Sequence, residues 1–140
     1  MSDMKDSLKT LHTRVIDSRD GYRNAVEDID DKEVGAFLHR MIEERETFHA
    51  QIHETLRAEG IEFGEGGSTL AAAHRGLMDL RGAMSSGGTG VYAECARGDE
   101  KLLESYDAAI EATGGHPEWS FLTEQRAKVA AAIEAAKAKA

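Results

Sequence analysis

The stretch EERETFHAQIH, residues 43–53, lies within a helical pattern from about 32 to 59 and places charged groups on the apolar side of that helix. On a helical wheel Arg45 falls within ~10° of the centre of the apolar stripe and His49 within ~45°, whereas Glu43 points away. A buried arginine requires an acceptor, because an unpaired buried charge is strongly unfavourable. The stretch therefore predicts a charged contact with another helix. The stripe consists of Val34, Leu38, Met41, Ile42, Phe48, Ile52 and Leu56.

The rest of the chain predicts further helical segments, and four of the five segments are long. At 1.5 Å per residue the long ones would measure roughly 30–42 Å, and the stretch between 60 and 88 is long enough to return along them. Gly60 is suited to end a helix and Pro117 to begin one. This layout predicts an all-α, ferritin-like four-helix bundle of two antiparallel hairpins, with a short extra helix in the long crossover. The segments cover about 4–29, 32–59, 69–84, 89–113 and 118–138 of a single domain, 1–140.

The composition indicates a folded, acidic chain rather than a disordered one. Hydrophobic residues make up 41% of the chain and charged residues 31%, and the formal net charge is −9. That charge argues against nucleic acid or an anionic membrane as a partner, because both are bound through fields of Lys and Arg. No apolar run is long enough to cross a bilayer, and the single Cys95 fits a reducing compartment. We therefore expect a cytoplasmic protein with no membrane and no nucleic-acid partner.

The position of each helix along the bundle predicts the partner of Arg45. With a full-length crossover the segments 32–59 and 89–113 run parallel, which brings Arg45 level with Asp99. Asp99 lies ~40° from the centre of its own stripe and is the nearest inward acid. We expect an ion pair between the two side chains inside a hydrogen-bonded layer. The expected layer, which would also line any ligand pocket, comprises Tyr22, Arg45, His49, Asp99, Tyr106 and Gln125.

A metal centre is the main alternative use of these residues, since Glu46 and His49 have the Glu-x-x-His spacing of di-metal bundles. Such a centre needs inward acids from every helix, yet the acids of the first segment lie ~140–160° from its apolar stripe. No complete di-metal centre and no cofactor is therefore favoured. The alternative is an iron or manganese site formed by Glu46, His49 and Asp99. The acids of the first segment are Asp17, Asp20 and Glu27. Three further histidines are expected to lie at the edges of the apolar stripes and to be partly solvated: His12, His39 and His53.

Four stretches of the chain resemble a bacterial family of four-helix-bundle proteins of unknown function, grouped with the ferritin-like proteins. They are SRDGYRNAVEDI (18–29), EERETF (43–48), AHRGLMDL (73–80) and AECARGDEKLLESY (93–106). The resemblance runs from about Leu8 to about Gln125, and its most specific part is an Arg-Gly-acid-acid run before a tyrosine. It implies the bundle fold and no established activity. The matching positions are Arg45, His74, Arg75, Glu94, Gly98, Asp99, Glu100 and Tyr106.

These observations favour a non-catalytic protein with a structural or stress-related interaction role, forming a homodimer. No catalytic residue is assigned, because the sequence contains no Ser/His/Asp arrangement, phosphate-binding glycine loop or zinc-binding cysteine pattern. Two alternatives stay open: a metal-binding redox or storage protein, and a small-molecule-binding bundle lined by Tyr22, Arg45 and Tyr106. We also expect Gly98 to allow close approach of a neighbouring helix. Trp119 and Phe121 are expected to seal the bundle end or to contact a second copy.

Overall fold

The computed structural model describes residues 2–27, 29–64 and 88–140, and every regular element in these ranges is helical. The predicted all-α class is therefore confirmed, and the predicted helix ends agree with the observed ones to within one turn. The predicted helix at about 69–84, which carries His74 and Arg75, lies outside the described residues. The elements are α1 (Ser2–Glu27), α2 (Lys32–Ala58), α3 (Gly88–Ala112), a 3₁₀ helix (Pro117–Trp119) and α4 (Phe121–Lys139).

Local sequence explains where α2 begins and ends. The Asp31 carboxylate accepts hydrogen bonds from the backbone N–H groups of Glu33 and Val34, at 2.9 and 3.0 Å, and so caps the first turn. At the other end Gly60 adopts a φ of 69°, a backbone conformation that would be strained in a residue with a side chain. The Gly60 N–H then donates to the carbonyl of Arg57 at 3.1 Å. The helix therefore starts and stops at the residues whose chemistry predicts it.

The start of the last helix differs from the prediction. Pro117 opens a 3₁₀ turn rather than the α-helix itself, because the Ser120 N–H donates to the Pro117 carbonyl at 3.1 Å, a three-residue bond. Trp119, in that turn, is 2% exposed. Its indole is thus buried within one chain, which fits the expected seal of the bundle end and not a Trp119 contact with a second copy.

The first antiparallel hairpin is formed by α1 and α2. Ser18 of α1 contacts Arg45 of α2, whereas His12, earlier in α1, lies beside His53, later in α2. Residue numbers that rise on one helix and fall on the other mark antiparallel neighbours.

The second antiparallel hairpin is formed by α3 and α4, and it runs in a defined direction relative to the first. Glu100 contacts Lys137, whereas Tyr106, later in α3, contacts Gln125, earlier in α4. Two ring contacts show that α2 runs parallel to α3, because the residue numbers of the contacting pairs rise together along both helices. These contacts are Phe37–Tyr92, with ring centroids 5.2 Å apart, and Phe48–Tyr106, at 6.3 Å. In the described part of the chain the predicted two-hairpin arrangement is confirmed.

The core lies along the bundle axis, where one apolar stripe from each of these helices meets the others. Leu11 of α1, Leu38 of α2, Tyr106 of α3 and Leu122 of α4 are all fully buried. Burial of such side chains contributes on the order of 1.5–3 kcal/mol each. None of the described helices has both the length and the hydropathy of a membrane-crossing segment. Charged and polar groups inside this core are therefore exceptions, and they define the candidate sites.

Candidate functional sites

Arg45 occupies the middle of the core and connects three helices. Its side chain is 0% exposed, and its Nη2 donates to Oδ2 of Asp99 on α3 at 2.6 Å. Its Nε donates to the Ser18 hydroxyl on α1 at 3.1 Å. Its Nη1 pairs with the neighbouring Glu44 carboxylate. One planar guanidinium thus holds α1, α2 and α3 at a fixed height.

Asp99 completes the arrangement, because both of its carboxylate oxygens are used. Oδ2 accepts from Arg45, and Oδ1 accepts from the Tyr22 hydroxyl at 3.0 Å. Burial raises the pKa of Asp99, whereas Arg45 and Tyr22 favour the ionised carboxylate and oppose that rise. Two donors aimed at two acceptor oxygens fit the ionised form. The group Ser18, Tyr22, Glu44, Arg45 and Asp99 is called the Arg45–Asp99 layer below.

The other members of the Arg45–Asp99 layer are held in the protonation states that the ion pair needs. Burial would lower the pKa of Arg45, but Asp99, Tyr22 and Glu44 together raise it, so the guanidinium stays charged. Burial, followed by the charge of Asp99, raises the pKa of Tyr22 well above its ordinary value, so its hydroxyl remains a donor. The layer is therefore a closed set of one cation, its carboxylate acceptors and its hydroxyl partners.

Tyr106 and Gln125 form a second, separate hydrogen-bonded chain. The Tyr106 hydroxyl donates to Oε1 of Gln125 at 2.7 Å, and Nε2 of Gln125 donates to Oε1 of Gln51 at 2.9 Å. Tyr106 and Gln125 are buried, whereas Gln51 is exposed, so the chain leads from the core to the surface. Phe48 packs against both the Arg45 guanidinium and the Tyr106 ring. The structure thus divides five of the six residues of the predicted layer between two networks.

His49 contacts a different set of side chains from the rest of the predicted layer. Its ring lies 5.0 Å from that of His12 and 5.4 Å from that of His53, measured between centroids. Nε2 of His12 lies 3.4 Å from Nδ1 of His53, and one ring nitrogen from each of the three lies within 4.8 Å of the others. These three residues, His12, His49 and His53, are called the histidine cluster below.

The histidine cluster is buried on the α1 side and partly open on the α2 side. His12, expected to be partly solvated, is 1% exposed, because its position in α1 turns the ring into the α1–α2 interface. Burial, and then the neighbouring His49 and His53, lower the pKa of His12 to about 4. Burial and Arg19 likewise lower the pKa of His49. At neutral pH these two rings are uncharged, and each therefore has a nitrogen lone pair.

Sequence reasoning missed His12 and His53 as functional candidates, although a signal was present. His49 and His53 are four residues apart, so they lie on one face of α2, as in the His pairs of helical zinc sites. The Glu-x-x-His spacing instead indicated Glu46 as the partner ligand of His49. In the structure Glu46 pairs with Arg23 across α1 and α2.

The set Glu46, His49 and Asp99, weighed as iron or manganese ligands, is not brought together. Glu46 is engaged by Arg23, Asp99 by Arg45, and His49 faces the other histidines. The three ligand candidates thus belong to three different contacts. Among the described residues, the group whose ligand atoms converge is the histidine cluster.

Among the remaining positions of the family resemblance, the described ones are Glu94, Gly98 and Glu100, which all lie on α3 and are partly or fully exposed. Glu94 pairs with Arg97 one turn later, with a Nε–Oε2 distance of 2.8 Å, and Glu100 pairs with Lys137 of α4 at 2.9 Å. A Cβ added at Gly98 would contact nothing within 4 Å in the described part of the chain. No described residue therefore packs closely against Gly98, and the expected close approach of a helix there stays a prediction.

Comparison with known proteins places the chain in a family without assigning it an activity. Residues 3–112 match the family described as Domain of unknown function (DUF2383). The chain belongs to this family. The DUF2383 region covers α1, α2 and α3, and so contains both the Arg45–Asp99 layer and the histidine cluster, whereas Gln125 lies beyond it. No curated protein and no solved structure matches the chain.

Proposed function

We propose that this DUF2383 protein is a non-catalytic, ferritin-like helical bundle with a structural or stress-related interaction role, in which a buried polar layer takes the place of a di-metal centre. The observation that carries the proposal is the Arg45–Asp99 ion pair, whose Nη2–Oδ2 distance is 2.6 Å in the middle of the core. A salt bridge at that position joins helices, and its groups are unavailable for chemistry on a substrate.

The bonding within the Arg45–Asp99 layer supports a structural role. Arg45 directs Nε, Nη1 and Nη2 to Ser18, Glu44 and Asp99, and the second oxygen of Asp99 accepts from Tyr22. A catalytic group must reach a substrate atom at hydrogen-bond distance, whereas the hydrogen-bonding atoms of these side chains are already bonded to one another. A pair of this kind specifies which helices meet and at what height.

The helix arrangement supports the ferritin-like assignment, and the central residues argue against its metal chemistry. Two antiparallel hairpins with α2 parallel to α3 is the order of ferritin-like bundles, in which inward Glu and Glu-x-x-His residues hold two metal ions. The corresponding inward positions of α1 carry Ser18 and Tyr22, which bond to the ion pair. The acids Asp20 and Glu27 lie half-exposed or exposed.

A small-molecule pocket lined by Tyr22, Arg45 and Tyr106 is the less supported alternative. All three polar ends bond within the chain, and all three residues are buried. A surface groove of about 490 Å³ lies elsewhere, between α1 and α3, and its walls include Arg14 and Lys101. The groove is open to solvent, unlike the clefts that enclose most of a small ligand.

Homodimer formation and a cytoplasmic location are part of the proposal. The location rests on the single cysteine, Cys95, which is a free thiol with no second cysteine to form an internal disulfide. Sedimentation equilibrium tests the dimer. A molar mass of twice 15.2 kDa supports it, and a mass of 15.2 kDa at every concentration refutes it.

A double-mutant cycle tests the structural role of the ion pair. Arg45→Met leaves Asp99 buried without its cation, so it should cost about 3–5 kcal/mol of unfolding free energy. Arg45→Met combined with Asp99→Leu removes both charges and should recover most of that loss. The measurement is urea denaturation followed by circular dichroism. The single variants of the cycle are Arg45→Met and Asp99→Leu. If the double variant loses as much unfolding free energy as the two single variants lose together, the pairing does not have the role proposed here.

A further inference from the structure

We propose that the histidine cluster is a binding site for one divalent transition-metal ion, which joins α1 to α2. The site uses His12 from α1 with His49 and His53 from α2. It differs in position and in ligands from a ferritin-like di-metal centre, and it does not depend on the Arg45–Asp99 layer. It therefore adds a binding activity to the structural role proposed above.

The spacing of the ring nitrogens fits one shared ion. Two nitrogens bound to a tetrahedral Zn²⁺ at about 2.0–2.1 Å lie about 3.3 Å apart. Nε2 of His12 and Nδ1 of His53 already lie 3.4 Å apart. The widest separation in the cluster is no more than 4.8 Å, so closure requires a movement of about 1.5 Å. His49 is half-buried, and rotation of its side chain supplies that movement.

The backbone that holds these rings is regular on both sides. His49 and His53 are one helical turn apart on α2, the same spacing with which helices present two histidines to zinc. His12 comes from the facing turn of α1 and is fixed by burial, with 1% exposure. Two ligands on one helix and one on its neighbour give a site whose ligand positions are set by helix packing.

The three rings lie against one another and against an aromatic neighbour, and the positive charge of Arg19 lies near His49. Among the described residues, the ring contacts of the cluster are to one another and to Phe63, whose centroid lies 4.8 Å from that of His12 and 4.7 Å from that of His53. Each neutral ring has one N–H donor and one lone pair, so His12 and His53 share one hydrogen-bond contact, whereas a cation accepts a lone pair from each of the three rings. Phe63 forms an apolar wall that limits water on that side.

The donor set selects the class of ion. Imidazole nitrogens suit Zn²⁺, Cu²⁺ and Ni²⁺, whereas Mn²⁺ and Mg²⁺ prefer carboxylate and carbonyl oxygens. Three histidines fill three positions of a tetrahedral site and leave the fourth for water or a further ligand. We therefore expect Zn²⁺ to bind and Mn²⁺ not to bind, which separates this site from the iron or manganese centre weighed from Glu46.

Isothermal titration of chelator-treated protein with Zn²⁺ tests the site. The wild-type protein should bind one Zn²⁺ per chain, and His49→Gln and His53→Gln should each weaken that affinity at least about tenfold through loss of one ligand. His39→Gln is the matched control, because His39 is an exposed histidine on the same helix. That variant should bind as the wild type does. Circular dichroism of every variant verifies that α2 is intact.

A titration with Co²⁺ adds a readout of geometry. Co²⁺ in a low-coordinate, nitrogen-ligated site absorbs far more strongly in the visible than hexahydrated Co²⁺, and Zn²⁺ should abolish that band by displacement. The proposal is overturned if the wild-type protein takes up no Zn²⁺ at micromolar concentration. It is also overturned if His49→Gln and His53→Gln bind as tightly as His39→Gln, because the ion would then lie elsewhere.

Discussion

Two groups of polar side chains lie in the same bundle, and they differ in whether their members complete one another. In the Arg45–Asp99 layer a cation meets an anion, and hydroxyl groups supply or accept the remaining hydrogen bonds. In the histidine cluster three copies of one basic group face each other. The charges of the first group are used on one another, whereas the neutral rings of the second group share the His12–His53 contact and keep further lone pairs for a cation. The comparison separates a structural element from a binding element.

Removal of one charge from the Arg45–Asp99 layer should have the largest effect. Asp99→Asn keeps the shape of the side chain but leaves Arg45 charged and buried without its closest anion, so we expect a loss of about 3–5 kcal/mol in unfolding free energy. Glu100→Gln is the matched control, because it alters the next residue, whose pair with Lys137 is exposed. The midpoint of urea denaturation should fall markedly for Asp99→Asn and change little for Glu100→Gln. Equal shifts would mean that the layer is not closed as described.

The histidine cluster should make the metal-free protein sensitive to acid. The pKa of His12 is about 4 in the folded state and near 6.5 in the unfolded state, so the unfolded state binds more protons between those values. The contribution of His12 to the unfolding free energy is therefore fully present above pH 6.5. It is lost as the pH drops towards 4, which lowers the unfolding free energy by up to about 3 kcal/mol.

The control for this acid sensitivity is His12→Phe, which keeps an aromatic ring and removes the titrating group. Denaturation curves in the presence of a chelator, taken from pH 7 to pH 4, should be flatter for the variant than for the wild type. Parallel pH profiles would show that His12 is not buried as a neutral ring among His49 and His53.

A pair of tyrosines gives the smallest and most closely matched comparison. The Tyr22 hydroxyl donates to the ionised Asp99, so Tyr22→Phe should cost about 1.5–3 kcal/mol. The Tyr92 hydroxyl is also buried but has no hydrogen-bond partner among the described residues, so Tyr92→Phe should leave stability unchanged or raise it. Thermal denaturation of the two variants decides. A loss at Tyr92 as large as that at Tyr22 would contradict the assignment of the Tyr22 bond.

The Arg45–Asp99 pair was predictable because two independent sequence signals determine it. The rotation of Arg45 and Asp99 about their helix axes sets which way each side chain points, and the length of the helices sets which residues lie level. Both signals depend on regular helix geometry, and α2 and α3 are uninterrupted. The pairing of Tyr106 with Gln125 follows in the same way from the α3–α4 hairpin.

The histidine cluster was less predictable, because rotation about one axis does not say which neighbouring helix covers a stripe edge. His49, ~45° from the stripe centre, is predicted to join the layer that contains Asp99 and Tyr106 of α3, but in the structure it lies beside His12 of α1. His12 was itself expected at a partly solvated edge. Residues at stripe edges are placed by the spacing of neighbouring helices, and a single sequence contains no direct signal for that spacing.

The most direct test of the difference between the two regions measures stability and zinc affinity on the same two variants, Asp99→Asn and His49→Gln. We predict that Asp99→Asn lowers the unfolding free energy of the metal-free protein and leaves Zn²⁺ affinity unchanged. We predict that His49→Gln weakens Zn²⁺ binding and leaves metal-free stability nearly unchanged. The account is contradicted if Asp99→Asn weakens Zn²⁺ binding in a folded protein, or if His49→Gln destabilises the metal-free protein as much as Asp99→Asn does.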